Sequence, residues 1–479
     1  MKVLLLSLPG MAENDGNLFP LGIGYLTATL KSSHDVKTLH YCHMEEAKND
    51  LPPLLESFMP DVVGLTCTSF NRGNVKAIIL LLKGICPNAK VIVGGVHASF
   101  CAEKVLRIYK ADTVVIGEGE VSLREICDTL ESGSSLHKVS GIAFLESNSF
   151  VQTATRTVVP KLDELPVPDL SFAESLMSSS GRGFLITSRG CPAHCSFCST
   201  GNYWGQKVRM YTPSRVVDEM EALIRRFAVK RIFFHDDTFN LGIPRVKEIC
   251  KIIRDRGIKI EWACSCRVVP VSEEMVSEMV SAGCKHICWG VESGSASMLK
   301  SIGKKITLDQ IKAAFEITAK FSNVLSSGCF VMVGNPGETE KTIKETIEFL
   351  NTLPMTDAPS TSILYVLPGT PIYEDLLQAG KINGDDWSRY DSVPSYTIEN
   401  SYSTLMRWQK MVSATGKRLP FDRKNHFWTG ELIPVDTLAA PRKRLFRRLV
   451  DKSCRVVRDP HILINRLNIL FPSKNIRFQ

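Results

Sequence analysis

Short apolar runs alternate with longer amphipathic stretches over residues 1–131. Five of the runs have the length and composition of buried strands, at 2–8, 36–41, 61–67, 90–95 and 112–120. Apolar residues recur at helical spacing at 21–32, 45–58, 73–84, 99–110 and 119–131. Strands that alternate with helices predict a doubly wound parallel sheet, whose strands are apolar throughout because helices cover both faces.

A second series of the same kind follows a proline-rich segment. Residues 139–154 predict a hairpin that turns at "ESNS", and residues 160–170 carry three prolines, which is typical of a domain boundary. Six further apolar runs, at 183–188, 231–237, 260–266, 286–293, 326–333 and 361–367, alternate with helical patterns. Six such units predict a partial (β/α)6 barrel with its active site at the carboxyl ends of the strands.

The chain is therefore predicted to be an α/β protein with four parts. These are a Rossmann-like, doubly wound domain at 1–138, a hairpin and linker at 139–182, a TIM-like barrel at 183–375, and a mainly helical C-terminal region at 376–479. No G-x-G-x-x-G follows the first strand, so a dinucleotide site is not expected.

The composition predicts a reducing compartment for the protein and shows that residues 401–479 are unusually basic. The chain has fifteen cysteines, an N-terminal apolar run too short for a signal peptide, and no stretch of the roughly 18 apolar residues that span a membrane. A cytoplasmic protein with reduced thiols is expected. The net charge of +8 comes from residues 401–479, which hold 17 Lys/Arg and 5 Asp/Glu.

The stretch "TSRGCPAHCSFCST" carries the most specific chemistry. Cys191, Cys195 and Cys198 have the spacing C-x3-C-x2-C and follow the first predicted barrel strand. An iron–sulfur cubane takes four ligands, and three thiolates leave one iron open, which is the mark of a catalytic metal site. The alternatives are buried cysteines or half of a zinc site.

With Phe197 as the aromatic residue, the motif C-x3-C-x2-aromatic-C resembles the signature of the radical S-adenosylmethionine (SAM) enzymes. Residues 1–375 resemble the group of these enzymes that has an N-terminal cobalamin-binding domain. The resemblance implies a 4Fe-4S cluster held by Cys191, Cys195 and Cys198, with SAM on the fourth iron. In that family an electron from the cluster cleaves SAM to a 5′-deoxyadenosyl radical, which abstracts hydrogen from the substrate.

Further elements match the family in order along the chain. They are "DDTF", W-x4-R, G-x-E-S-G and G-x-P-G-E-T. By resemblance, the SAM-binding residues are Phe197, Asp236, Asp237, Arg267, Glu292, Gly334, Pro336 and Gly337. Taken singly, the two aspartates also suit a helix N-cap, the arginine an ion pair, and the glutamate a solvated surface.

The family's cobalamin elements are also present in the first domain. By resemblance, the cobalamin-binding residues are Thr66, Thr68, Ser69, Gly94, Gly95, Gly117, Glu118 and Gly119. The D-x-H-x-x-G motif that supplies a lower histidine ligand to cobalt elsewhere is absent, and His97 does not fit it. Cobalamin is therefore expected to bind base-off, without a protein histidine ligand.

The resemblance favours methyl transfer from methylcobalamin to an unactivated carbon, with no residue assigned to catalysis. A radical cyclase or rearrangement enzyme of the anaerobic Mg-protoporphyrin cyclase type is the alternative. A tRNA methylthiotransferase is disfavoured, because the cysteines of the first domain lack that family's pattern. A non-catalytic iron–sulfur protein would need a fourth ligand, for which the candidates are Cys264, Cys266, Cys284 and Cys288.

The expected partners follow from this function. They are a small-molecule, natural-product or lipid-like substrate and an external one-electron reductant of the flavodoxin or ferredoxin type. No nucleic-acid partner is expected, since no RRM, KH or zinc-finger pattern occurs. Residues 441–471 mix basic and apolar residues at helical spacing, which suits either peripheral contact with an anionic membrane or a packed helix with a solvated basic face.

Overall fold

The structure is a computed structural model that describes residues 1–10, 19–384, 395–416 and 419. The described residues all belong to one compact unit, which spans Met1–Phe427. The predicted basic segment at 441–471 and most of the C-terminal region at 376–479 lie outside the described residues.

The first domain is a seven-stranded sheet with the order β2-β1-β3-β4-β5-β6-β7. The first five strands are parallel, and β6 and β7 form an antiparallel hairpin beside them. The strands are β1 Lys2–Ser7, β2 Asp35–His40, β3 Val62–Thr66, β4 Lys90–Gly94, β5 Thr113–Val115, β6 Ile142–Glu146 and β7 Ser149–Gln152. The helices are α1 Leu21–Leu30, α2 Met44–Phe58, α3 Arg72–Ile85, α4 Val96–Phe100, α5 Ala102–Tyr109 and α6 Glu120–Glu131.

The second sheet has six parallel strands in the order β15-β14-β13-β12-β11-β8, and a two-stranded ribbon, β9-β10, accompanies it. The strands are β8 Arg182–Leu185, β9 Ser188–Arg189, β10 Arg209–Met210, β11 Arg231–Phe234, β12 Glu261–Arg267, β13 Cys284–Glu292, β14 Ser326–Val333 and β15 Ser360–Ile363. The helices are α7 Glu174–Ser180, α8 Thr200–Tyr203, α9 Pro213–Phe227, α10 Ile243–Asp255, α11 Glu273–Ser281, α12 Ala296–Ser301, α13 Leu308–Ala319, α14 Glu340–Leu350, α15 Pro371–Gln378 and α16 Tyr402–Ser413. This curled sheet confirms the predicted partial barrel.

Side-chain alternation decides what faces the helices and what faces the barrel interior. Along β12, Trp262, Cys264 and Cys266 belong to the hydrophobic core, and Ser265 and Arg267 alternate with them. Successive residues of a strand point to opposite faces, so Ser265 and Arg267 face the interior. The same alternation along the parallel strands brings polar groups together at one end of the barrel.

Three local differences separate the structure from the expectations. The helix expected at 99–110 is two helices, because Cys101 leaves the helical conformation between α4 and α5. The strand expected at 112–120 ends at Val115, and Gly117 turns the chain towards α6. The proline-rich segment is not an open linker, since Leu162, Leu165 and Leu170 are buried in the core of the barrel.

No helix within the described residues is long and apolar enough to cross a membrane.

Candidate functional site

The three cysteines lie on one loop between β9 and α8. Cys191 and Cys195 are buried and Cys198 is half-buried. Gly190 begins the loop with φ 100°, and a side chain there would come within 2.8 Å of the carbonyl oxygen of Lys207, so only glycine fits. The Ser196 amide donates to the Ile302 carbonyl at 3.0 Å, which ties the loop to the segment after α12.

The loop offers the donor set that an iron–sulfur cluster requires. Burial raises the pKa of the Cys195 thiol, whereas the cations of Lys304 and Arg267 and a hydrogen bond from Arg267 lower it. Burial also raises the pKa of Cys198, against hydrogen bonds from Thr200. Nowhere in the described residues do three metal-binding side chains converge on the position of one ion. A cubane distributes its thiolates over separate irons, so three spaced thiols on one loop fit it.

A chain of charged side chains extends from Cys195. Arg267, at the end of β12, is close enough to the Cys195 thiol to lower its pKa, and it donates to the carbonyl oxygen of Lys304 at 2.9 Å. The Lys304 ammonium group is buried and pairs with Glu292 Oε1 at 2.8 Å. The site therefore holds two basic side chains and one acidic side chain next to the cysteine loop.

Glu292 ends β13 in an unusual conformation. Its φ is 70°, in the left-handed region that non-glycine residues seldom adopt, and the pairing of β13 with β14 shifts register between Gly290 and Glu292. A bulge of this kind changes the direction of a side chain, and strained backbone is concentrated at functional sites. Here the bulge accompanies the contact between Glu292 and Lys304.

The two adjacent aspartates after β11 have different surroundings. Asp236 is buried, and its carboxylate accepts hydrogen bonds from the Thr187 amide at 3.0 Å, the Thr187 hydroxyl at 2.8 Å and the Ser188 hydroxyl. Asp237 accepts from Thr200 Oγ1 at 3.0 Å, just after the cysteine loop. Burial of its carboxyl group raises the pKa of Asp237 to about 6. Asp236 thus anchors the residues that follow β8, and Asp237 is bonded to the residue Thr200 just after the cysteine loop.

The glycine turn after β14 is held by a buried carboxylate. Glu338 accepts the amides of Gly334 at 2.5 Å and Asn335 at 3.1 Å, and burial raises its pKa to about 7. The Gly337 amide donates to Glu399 at 2.6 Å. Pro336, which lies between Asn335 and Gly337 in the turn, is half-buried. The turn is therefore anchored by its own glutamate and by the segment before α16.

Phe197, on the cysteine loop, packs against a small apolar cluster. The cluster contains Met332, Leu364 and Ile372, and the Ile372 amide donates to the Ser196 carbonyl at 2.9 Å. Phe197 thus fastens the loop to the chain around β15 and α15.

The candidate fourth thiol ligands do not join the three cysteines. Cys264, Cys266 and Cys284 lie in the hydrophobic core with Trp262, on the helix-facing side of the sheet. Cys288 is buried on the interior face of the sheet. The ionisable groups near its thiol include Cys329, Glu292 and Asp357. Burial raises the pKa values of the Cys264 and Cys288 thiols well above the usual range, which disfavours the thiolate that a cluster needs.

A cavity of about 120 Å³ opens at the carboxyl ends of the first sheet. Its lining is mostly glycine and apolar side chains from β1, β3, β4, β5 and α1, and it also includes three charged residues, Glu118, Glu120 and Arg189. The lining residues include Leu5, Gly22, Ile23, Leu26, Gly64, Thr66, Ile92, Gly94, Gly95, Val115, Gly117, Glu118, Gly119, Glu120, Arg189, Tyr203 and Trp204. Gly95 has φ 96°, and a side chain there would approach the Cys67 carbonyl oxygen to 2.8 Å. Such a slot suits the long, partly apolar tail of a nucleotide-bearing cofactor.

Thr68 and Ser69 do not line this cavity. Thr68 exchanges hydrogen bonds with Asn71, and Ser69 Oγ lies 3.0 Å from His97 Nδ1 in a buried pair. His97 is likewise absent from the lining, and burial lowers its pKa to about 3. None of the described residues that line the cavity is a histidine.

The sequence-based assignment missed several residues of the site, among them Lys304, Thr200 and Arg189. Lys304 lies in "SIGKKIT", outside every matched motif, and only its contacts in the folded protein, such as that with Glu292, connect it to the site. Thr200 carries a weak signal, since it follows Cys198 by two residues. Arg189 carries a clearer one, because it is a charged residue at the end of the apolar run "FLITS".

Comparison with known proteins agrees with both halves of this description. Residues 185–350 match the family model of the radical SAM superfamily, and residues 9–127 match that of the B12 binding domain. The chain is 31% identical to the uncharacterized methyltransferase PH0819 of Pyrococcus horikoshii, over 78% of this chain and 82% of that one.

The chain belongs to the cobalamin-dependent radical SAM enzymes. It is also 27% identical to the anaerobic magnesium-protoporphyrin IX monomethyl ester cyclase of Cereibacter sphaeroides, over 80% of this chain and 64% of that enzyme. The solved structure of the radical SAM methyltransferase TsrM from Kitasatospora setae, with cobalamin and a [4Fe-4S] cluster bound, superposes with a TM-score of 0.68 at 19% identity. That superposition covers 79% of this chain and 75% of TsrM and supports the fold.

Membership confirms the predicted cofactors. This radical SAM enzyme uses a 4Fe-4S cluster, SAM and cobalamin, and its two domains correspond to the two sheets described above. The assignment of individual residues to each cofactor stays a prediction.

Proposed function

We propose that this enzyme transfers a methyl group from cobalamin to a carbon atom of a small-molecule substrate. The observation that carries the proposal is that the cobalamin cavity and the cysteine loop adjoin. Arg189 lines the cavity two residues before Cys191, and Tyr203, five residues after Cys198, donates from its hydroxyl to the Gly117 carbonyl at 3.2 Å. A radical source and a methyl donor must both reach one carbon atom, so neighbouring sites are required.

When bound, the cluster and SAM supply a 5′-deoxyadenosyl radical and cobalamin supplies the methyl group. The protein's part is to orient these groups and exclude water. Cys191, Cys195 and Cys198 would hold the cluster. Arg267 and Lys304 match the carboxylate of SAM, and Glu292 matches its amino group, because each offers the opposite charge. Asp237 would contact SAM from the other side of the loop.

The residues of the first domain would hold cobalamin by shape. Thr66 and the glycines at 94, 95, 117 and 119 line the cavity, and their small size supports close approach by the nucleotide tail. In this proposal residues 1–138 form the cobalamin domain and residues 183–375 the radical SAM barrel, with the segment between them packed on the barrel.

The interior of the barrel favours a largely apolar substrate. Phe330 is 40% exposed on the interior face of β14, and Phe184 and Phe233 flank His235 with ring centroids 5.2 and 4.7 Å from it. Burial lowers the pKa of His235 to about 4, so the ring is neutral at neutral pH. Its Nε2 atom is buried without a hydrogen-bond partner in the described part of the chain, which suits one polar group on the substrate.

Product analysis tests the reaction class. The reconstituted enzyme is incubated anaerobically with SAM, a flavodoxin-type reductant, cobalamin and metabolite extract separated by polarity. Methyl transfer is expected to give 5′-deoxyadenosine and S-adenosylhomocysteine together, stimulated by an apolar fraction. A Cys198→Ala variant is the control and should form no 5′-deoxyadenosine. Stimulation by polar fractions alone would contradict the proposed substrate class.

The second candidate is a radical cyclase, which the similarity to the magnesium-protoporphyrin cyclase favours. Cyclisation consumes SAM only as the radical source. Formation of 5′-deoxyadenosine without S-adenosylhomocysteine in the same experiment would therefore select the cyclase and exclude methyl transfer.

The basic C-terminal segment supports a proposal about access to the substrate. Residues 401–479 carry a net charge of +12, which would attract an anionic membrane that holds a lipid-like substrate. The full-length protein is expected to sediment with anionic liposomes, and a version that ends near residue 438 is expected to stay in solution. Equal sedimentation of the two would refute the proposal.

A further inference from the structure

Four buried charged side chains join the cobalamin cavity to the cysteine loop. Arg189 Nη2 donates to Glu120 Oε1 at 2.6 Å, and its Nη1 lies 3.3 Å from Glu118 Oε2. Arg209 forms a bidentate pair with Glu118, and one of its nitrogens also donates to the Val159 carbonyl at 2.9 Å. Each of the four side chains is at most 7% exposed.

The two glutamates and the two arginines belong to different domains. Glu118 lies on the turn between β5 and α6, and Glu120 begins α6 at the end of that turn, at the carboxyl end of the first sheet. Arg189 and Arg209 lie on the two strands of the ribbon, β9 and β10, which pair directly with each other. The carboxylates of this turn are therefore bonded to arginines of the barrel, although they also line the cavity.

Aromatic rings hold Arg189 between the two sites. Its guanidinium carbon lies 5.1 Å from the ring centre of Tyr25 on α1 and 5.0 Å from that of Trp204 just after α8. Planar cations are stabilised on aromatic faces, most strongly where water is excluded. The cysteine loop is therefore flanked in sequence by two residues that line the cavity, Arg189 before Cys191 and Trp204 after Cys198.

We infer that Arg189, together with Glu118, Glu120 and Arg209, makes cobalamin binding and cluster binding depend on each other. A ligand that fills the cavity fixes the carboxylates that orient Arg189, and Arg189 in turn fixes the start of the cluster loop. Arg189 is a positioning residue in this scheme. Coupling between two sites is reciprocal, so the cluster strengthens cobalamin binding by the same factor.

The coupling is measured as a ratio of two dissociation constants. Hydroxocobalamin is titrated into the full-length protein with its cluster and into the same protein freed of iron by chelation, and binding is followed by quenching of tryptophan fluorescence. The protein with its cluster is expected to bind cobalamin about fivefold more tightly or better, the lower end of typical coupling between sites. Arg189→Met is expected to bring the ratio of the two constants close to one.

Arg215→Met is the matched control. Arg215 also pairs with a buried glutamate, Glu219, at 2.6 Å and lies 5.8 Å from an aromatic ring, that of Tyr211, but both partners of the ion pair lie on α9 of the barrel. This variant is expected to keep the wild-type ratio. Should Arg189→Met fail to fold, Glu120→Gln removes one arm of the network with no change of shape and decides the question.

A wild-type ratio of one, or a wild-type ratio retained in Arg189→Met and Glu120→Gln, would overturn the inference. Equal weakening of both constants in Arg189→Met would also overturn it, because that result is what a merely structural role produces. The inference holds for methyl transfer and cyclisation alike. Failure of the proposed function would appear only in the products, and failure of the inference only in the binding ratio.

Discussion

Charge alternates among the side chains that surround Cys195. Arg267 and Lys304 are basic, and the acidic partner of Lys304, Glu292, has a side chain that is only 12% exposed. Buried charges are stable only when they are paired. Removal of one partner therefore leaves the other charge buried and uncompensated, which is destabilising. In the proposed function, the zwitterionic end of SAM would offer these three groups a second set of opposite charges.

Lys304→Met is expected to weaken SAM binding about tenfold, because one charge-assisted hydrogen bond to the SAM carboxylate is lost. SAM is titrated into the reconstituted protein while the electron paramagnetic resonance spectrum of the reduced cluster is recorded. Lys304→Arg should restore most of the affinity. Lys83→Met, which removes a lysine paired with Asp112 in the first domain, should leave it unchanged. Wild-type affinity in Lys304→Met would exclude the lysine from the SAM site.

Glu338 gives a prediction about pH. Burial raises its folded pKa to about 7, above its usual value, so the neutral carboxyl is the form that the folded protein favours. Its contribution to stability is present at pH values below about 4.5 and is lost as the pH rises through about 7, a loss of about 3 kcal/mol. Glu338→Gln imitates the neutral form and should therefore lose less stability than the wild type over this range.

The check compares the midpoints of denaturation of the two proteins at pH values near 5 and near 8. Glu340→Gln alters an exposed neighbour and should follow the wild type. A constant difference between wild type and Glu338→Gln at both pH values would show that Glu338 ionises normally in the folded protein.

At the level of the elements, the first helix contributes to both domains. Tyr25 and Leu21 on α1 belong to the core of the barrel, whereas Ile23 belongs to the core of the first sheet. The remaining face of the helix carries Gly22, which is exposed to the cavity. One short helix thus packs against two cores and lines the predicted cobalamin site.

Gly22→Leu is expected to block cobalamin without unfolding the protein. Apart from its chain neighbours and its own helix backbone, no described heavy atom lies within 4 Å of a Cβ atom placed at Gly22, so the leucine begins in open space and is expected to collide with a bound ligand. Overpacking of this size weakens binding about tenfold or more. Gly84→Leu on α3 is matched, since the space around Gly84 is also open but lies outside the cavity. Cobalamin retained per protein chain is measured after gel filtration, and equal retention in both variants would place cobalamin elsewhere.

On the scale of the whole molecule, the segment between the two sheets is a structural part of the barrel. Leu162 is fully buried and Asp163 accepts the Thr212 amide at 3.0 Å. Arg215 donates to the Leu165 carbonyl at 3.1 Å, which attaches the same segment to α9. The two sheets are therefore held together by packed chain rather than by a free tether.

Trypsin is expected to leave the bond after Lys161 intact in the native protein, although the Lys161 side chain is exposed. Cleavage needs local unfolding of the residues that follow, and their burial makes such opening rare. Mass spectrometry of peptides from native and urea-treated protein distinguishes the two states. Early release of a fragment that begins at Leu162 from native protein would show that the segment is an open linker.

Much of this molecule follows from local sequence. Continuous apolar runs and helical patterns predict most strands and helices of the two sheets, because burial on parallel strands selects apolar residues directly. The cysteine spacing likewise predicts which loop would hold a cluster, since ligands that lie so close in sequence need no distant contact. The resemblance carried by the motifs extends this to the cofactors, which the comparisons confirm.

Only the tertiary structure decides which groups act together. Lys304 meets Glu292, and Arg189 meets Glu118 and Glu120, across long separations in sequence that no local pattern encodes. The different surroundings of Asp236 and Asp237 also depend on the fold, because neighbours on a chain point in opposite directions at a strand end. Local sequence determines elements and ligand loops through burial and spacing, whereas pairing of charges depends on distances that exist only after the sheets have assembled.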